Sequence, residues 1–188
     1  MAEALAEAVG GHLGRPAIDR RGGQPVIEQH LQARGYAQSQ ALPLTTLPGG
    51  YRVDYGHAQA ASVSILVTLQ GSLGQFQRCV DSVLQSTDLP GGYEVLLLDP
   101  GTQDDAVQDW LAGVEQIGGD QLQVLRYASG ESRVAMCNHA VQQARGDFVL
   151  WLDATTGVLA AGWLQQLLNH AQRPEVGAVG AKLLTADG

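Results

Sequence analysis

Two aspartates close apolar runs in this chain: Asp99 in VLLLDPGTQDD and Asp153 in VLWLDATTG. A carboxylate at the end of a buried strand has two chemical uses. It accepts hydrogen bonds from a ribose hydroxyl or a base N–H, or it holds a hard divalent cation alongside phosphate and water oxygens. Asp99 suits the first use, since Gly101 permits a turn and Thr102 or Asp104 is placed to cap the helix that follows. Asp153 suits the second as a single ligand, with Thr155 and Thr156 adding neutral hydroxyls. Each has a purely local alternative. Asp99 can close its own turn through its side chain, and DATTG can cap a turn or a helix. Spacing alone leaves both pairs of readings open.

Other chemistries find little support. The first long apolar run is followed by QGSLGQF, whose two glycines do not make the Gly-x-Gly-x-x-Gly fingerprint, and no Gly-Lys-Ser/Thr phosphate loop is present. An unrelated dinucleotide-binding Rossmann domain is disfavoured on the same ground. No Ser/His/Asp order or nucleophile elbow is visible. The five histidines are scattered without metal-ligand spacing. Cys79 and Cys137 fall on apolar faces of expected helices and read as reduced core residues of a cytosolic protein. The formal net charge of −8 argues against nucleic acid and against an anionic membrane surface. The first residues, MAEALAEAVGG, do not make a signal peptide, and no run reaches membrane-spanning length.

The elements that must position the two aspartates follow from periodicity. From Ser62 onward, apolar β-branched runs alternate with amphipathic helical patterns. SVSILVTL, EVLLLD, LQVLRY, FVLWLD and VGAVGAKLL read as five buried strands. Between them, the spacing predicts helices with inward faces of Leu73, Phe76, Val80, Val83 and Leu84, then Val107, Trp110, Leu111 and Val114. The third has Val134, Cys137 and Val141 inward, with Gly146 as its stop, and the fourth ends before Pro174. Strands alternating with helices give a parallel, doubly wound α/β sheet whose ligands bind outside the carboxyl ends of the strands. Ahead of it, AEALAEAV is helix-like, HLGRPAIDRRGGQP reads as loop, and PVIEQHLQARGY as a helix with Pro25 in its first turn and Gly35 as its stop. YRVDY alternates like a short strand. The division expected is a helical lead-in over 1–61 and the main domain over 62–188.

Taken in order, VSILVTLQG, RCVDSVLQSTDLPGGYEVLLLDPGTQD, CNHAVQQARGDFVLWLDATTGVLAAGWL and RPEVGAVGAKLLTADG resemble family 2 glycosyltransferases of the GT-A fold, over Ser62 to Gly188. YRVDY is similar to the segment ahead of this domain in bacterial enzymes that build O-antigen and other surface polysaccharides. The resemblance implies a mostly parallel sheet flanked by helices, incomplete on its C-terminal side. It implies a hexosyltransferase-type activity, with a nucleotide-diphosphate sugar as donor and a polysaccharide, lipid-linked or protein-linked glycan as acceptor. It places Thr68, Asp99, Gly101, Asn138 and Asp153 around the donor, and Mn²⁺ or Mg²⁺ at Asp153 with Thr155 as a weak second ligand. The catalytic base is expected beyond Gly188, so this stretch alone is expected to be inactive. The setting implied is the bacterial cytoplasm, at the inner face of the membrane, within a larger multidomain protein.

Three motifs depart from the family pattern. The first strand runs into Thr68-Leu69-Gln70-Gly71 where Pro-Thr and a polar pair are usual. Pro100 follows Asp99 in place of Asn, and Thr155 stands where the metal motif has Asp. Losing a charged ligand weakens a hard-cation site, since ligand charge sets affinity. These departures support a second expectation, a catalytically inactive GT-A-like module with a binding, scaffolding or regulatory role.

Overall fold

A computed structural model of the chain describes residues 22–185. The AEALAEAV helix and most of the loop expected after it lie outside the described residues. The described residues divide into two compact units, 59–168 with 181–185, and 22–58 with 169–180.

The larger unit holds four parallel strands, β3 (Val63–Thr68), β4 (Tyr93–Asp99), β5 (Leu122–Arg126) and β6 (Phe148–Asp153), in the order β5-β4-β3-β6. Central β3 is buried at all six positions, which explains its unbroken apolar run. Helices α2 (Leu73–Ser86), α3 (Asp105–Ile117) and the first part of α5 (Trp163–Ala171) bring Phe76, Val80, Val83, Leu111, Leu164 and Leu168 against Ile65, Val67, Val95 and Leu97. On the other face α4 (Arg133–Gln143) packs Met136 and Ala140 against Leu66, Leu96 and Leu98. Fully burying one such aliphatic side chain stabilises by about 1.5–3 kcal/mol. The strand order reverses between β3 and β6: β4 and β5 extend one way, β6 the other. Ligands of such sheets bind at this switch point, outside the carboxyl ends of the strands.

The amino end is locked by a buried polar cluster. Glu94 accepts from the Ser64 hydroxyl at 2.6 Å, the Arg145 backbone N–H at 2.7 Å and Arg145 Nε at 2.8 Å. Gly146 passes so close to β3 that a β-carbon there would lie 2.4 Å from the Ser64 nitrogen.

In the smaller unit, α1 (Gly23–Ala33) precedes an antiparallel pair, β1 (Gln40–Pro43) and β2 (Tyr51–Asp54). Pro25 is in the first turn of α1, and Gly35, at φ 96°, follows its C-cap. Asn169 accepts from the Tyr55 N–H and donates to the Val53 carbonyl. The Arg173 guanidinium lies 4.7 Å from the Tyr55 ring centroid and pairs with Glu175. These contacts tie residues 169–175 to the β1–β2 pair.

Several expectations need correction. VGAVGAKLL forms no strand; residues 176–184 are mostly exposed, and among the described residues nothing pairs with the outer edge of β6. Its Gly and Ala residues offer little area to bury. The inward face of α4 is Met136 and Ala140, while Val134 is 70% exposed and Val141 42%. Small Ala140 lets the helix approach the sheet. Gly146 is no helix stop: α4 ends at Gln143 with an extended Ala144, and the glycine serves the close approach to β3. Leu84 is exposed. As an edge strand, β6 is buried on one face only, leaving Trp151 50% exposed. Sequence alternation missed β1.

Candidate functional site

Parallel register sets the site. Thr68 ends β3 and pairs with Asp153 on one side and Leu98 on the other, so Asp99 projects one residue past that line. The loop after β3 reaches the loop after β6, since a β-carbon on Gly71 would sit 3.4 Å from Thr155 Cγ2. Thr68, Asp153 and Thr155 therefore share one edge, with Asp99 and Gly101 on the neighbouring strand end. Asn138 is on α4, exposed, with no hydrogen bond from its side chain to described residues.

Asp153 is half-buried. Its Oδ1 accepts from the Thr155 N–H at 2.9 Å and the Thr155 hydroxyl at 2.7 Å, while its carbonyl accepts from the Thr156 hydroxyl and N–H. This is the local geometry DATTG was expected to allow. The Thr155 hydroxyl, followed by the Thr155 N–H and the Arg133 charge, holds the carboxyl below its ordinary value despite burial. Beneath it, burial and then the Asp153 charge push the Cys79 thiol up to about 11, which makes it an inert core residue. Neither Cys79 nor half-buried Cys137 is in a disulfide.

Asp99 is buried, at 1% exposure, and its carboxylate is engaged from both sides. Oδ1 accepts from the Gly101 N–H at 3.1 Å and the Thr102 N–H at 2.9 Å, closing the turn. Oδ2 faces Gln108 Nε2 at 3.4 Å and Arg126 Nη1 at 3.5 Å. Gly101 takes φ 79°, and a β-carbon on it would meet the Ser129 nitrogen at 2.7 Å. Asp104, not Thr102, caps α3. Between the loops after β3 and β4 lies a cleft of about 380 Å³, lined by Leu69, Gly71, Phe76, Pro100, Gly101 and Thr102 among others. A larger one, about 580 Å³, opens at the amino edge beside Ser62, Gly92 and Glu94. There Glu94 and Arg145 already satisfy each other.

The donors at Asp153 do not fit a divalent cation held by the protein. Such a cation takes about six or more oxygens and draws its affinity from ligand charge. One carboxylate is present, and the Thr155 hydroxyl that donates to it adds only a neutral oxygen. Asp99 is enclosed, and the charge acting on Asp153 is a guanidinium. Among the described residues no three His, Cys, Asp or Glu side chains converge as a metal group.

Arg133 was missed by sequence reasoning. Its Nη2 lies 3.5 Å from Thr68 Oγ1. The available signal was a basic residue one place after Ser132, the N-cap of the helix entering this edge.

Comparison with known proteins agrees with this architecture. Residues 64–187 match the model of the family described as glycosyl transferase family 2. The chain is 33% identical over 168 residues to the O-antigen biosynthesis protein RfbC of Myxococcus xanthus, covering 89% of this chain and 13% of that protein. It is 34% identical over 167 residues to the uncharacterized protein y4gI of Sinorhizobium fredii, covering 88% and 18%. The chain thus spans less than a fifth of either relative. Among solved structures, a mannosyltransferase from Pyrobaculum calidifontis in complex with GDP-Man and Mn²⁺ superposes with TM-score 0.57 at 17% identity, over 84% of this chain and 42% of that one. GalNAc-T7 with UDP, GalNAc and Mn²⁺ gives TM-score 0.54 at 16% identity, over 79% and 27%. These likenesses show the GT-A fold. No helix among the described residues is long and apolar enough to cross a membrane. By the family match across most of its length, the chain belongs to glycosyl transferase family 2.

Proposed function

We propose that this chain is the donor-binding half of a glycosyltransferase, taking a nucleotide-diphosphate sugar for transfer to a polysaccharide, lipid-linked or protein-linked glycan. The observation that carries the reading is the switch point itself, where Thr68 and Asp153 end side by side, with a cleft of about 380 Å³ between the neighbouring loops after β3 and β4. In this reading the nucleoside enters the cleft over Gly101 and Thr102. Buried Asp99 shapes that wall through the turn it closes. The diphosphate and sugar lie over Thr68, Asp153 and Thr155, and Asn138 lines the outer side. The reading routes no step through a protein-held metal and assigns no catalytic base among residues 22–185. A bacterial, cytoplasmic setting at the inner face of the membrane, within a larger protein, accompanies it.

The second reading, a GT-A-like module without catalysis, is favoured by one observation: the Asp99 carboxylate is fully engaged inside the fold. Calorimetric titration of the folded chain with UDP, GDP and dTDP tests both. Saturable binding of one nucleotide supports the donor reading. Absence of binding at millimolar nucleotide supports the module.

A further inference from the structure

We propose that Arg133 is the diphosphate-binding cation of this site and makes donor binding independent of a divalent metal. The inference rests on the donor reading above. Arg133 begins α4, and its guanidinium reaches back over the carboxyl end of β3, with Nη2 3.5 Å from Thr68 Oγ1. Thr68 is in register with Asp153. The Arg133 charge also acts on the Asp153 carboxylate. One guanidinium therefore overhangs the two strand ends that flank the switch point.

That guanidinium is available. Arg133 is exposed and forms no ion pair within 4.0 Å among the described residues. Its contact with Thr68 is long, and its remaining N–H groups have no protein acceptor among those residues. The other guanidinium at this edge is not available: Arg126 is bound to Glu115 and to Gln108 Oε1 at 2.5 Å. Arg78 lines a neighbouring cleft with Thr155, Thr156 and Gly157, whose lining includes neither Thr68 nor Asp153.

The chemistry matches a diphosphate better than a cation. A guanidinium presents a planar fork of donors that meets two phosphate oxygens at once and stays charged at any working pH. A cation arriving at Asp153 would meet a single carboxylate under the influence of a fixed positive charge. Asp153 Oδ2 accepts no hydrogen bond from described residues, which leaves it for sugar hydroxyls beside the diphosphate.

The test is calorimetric titration of the 188-residue chain with GDP and UDP, once in EDTA and once with Mn²⁺. The variants are Arg133→Ala, Arg133→Lys and Arg78→Ala, each first shown to be folded by circular dichroism. The expected result is binding in EDTA within a few-fold of that with Mn²⁺. Arg133→Ala should weaken it by about tenfold or more, the size of a lost charge-assisted hydrogen bond. Arg133→Lys should fall between, and Arg78→Ala, with the same loss of charge, should bind like the parent. Binding that requires Mn²⁺ overturns the inference while leaving the donor reading intact. So does equal weakening by Arg133→Ala and Arg78→Ala, or no weakening by Arg133→Ala. No binding of either nucleotide by the folded parent, with or without Mn²⁺, overturns both.

Discussion

Arg145→Met probes how the amino end of the sheet is held, and through it the register that aligns Thr68 with Asp153. The Glu94 side chain is 8% exposed. Its Oε1 accepts from Ser64 Oγ and the Arg145 N–H, and its Oε2 from Arg145 Nε at 2.8 Å with Nη2 at 2.7 Å. The substitution removes both donors of Oε2 and spares those of Oε1. Breaking a fully buried pair costs about 3–5 kcal/mol. The Arg145 side chain is 56% exposed, so water replaces part of what is lost, and about 1–3 kcal/mol is expected. Burial alone would raise the Glu94 carboxyl. The Ser64 hydroxyl, the Arg145 N–H and the Arg145 guanidinium together outweigh burial and hold it below its ordinary value. A carboxyl lowered by folding contributes stability above its unfolded value, about 4.3, and that contribution fades as pH falls through the folded value. The gap between parent and variant should therefore be full at pH 7 and narrow toward pH 3. Urea unfolding followed by tryptophan fluorescence across that range measures it. A gap under about 0.5 kcal/mol at pH 7, the scatter of ordinary surface changes, or a gap unchanged down to pH 3, refutes the reasoning.

Gly146→Ala sets a β-carbon 2.4 Å from the Ser64 nitrogen and should lower unfolding free energy by about 2 kcal/mol or more in the same assay. Asp99→Ala strips partners from two half-buried loop N–H groups and should cost about 1–3 kcal/mol. Asp153→Ala, at a half-exposed site, should cost less, and equal losses would contradict the enclosed role given to Asp99. Thr155→Asp adds the second carboxylate that the β6 loop lacks. It should tighten Mn²⁺ binding in the presence of GDP, read by calorimetry, whereas unchanged affinity would mean that the loop faces away from the ligand.

The strands and helices around the site were legible because burial on both faces writes an unmistakable pattern: β3 and β4 are continuous apolar runs, and α2 and α3 carry clear stripes. Legibility failed where a residue's environment depends on what packs across from it. Val134 and Val141 carry a helical stripe as regular as that of Met136 and Ala140, and only the approach to Leu66 and Leu98 decides which is inward. VGAVGAKLL is apolar enough for a strand, but a strand needs a neighbouring edge, which periodicity does not encode. At the site, the two aspartates were legible as strand ends. Their different fates, Asp99 enclosed and Asp153 half-open, depend on Gln108, Arg126 and Thr155 reaching them in space. For Arg133 the only sequence signal was its place just after the Ser132 N-cap, because 65 residues separate it from Thr68.

The measurement that bears most directly on the account is an amide NMR titration of the isotopically labelled chain with GDP and with UDP. A donor site at the carboxyl edge gives saturable shifts at Thr68, Gly71, Gly101, Asp153 and Thr155, with Ser62, Gly92 and Gly146 at the amino edge unmoved. Shifts centred on the amino edge, or none at millimolar nucleotide from a folded chain, would contradict a donor site at the β3–β6 switch point.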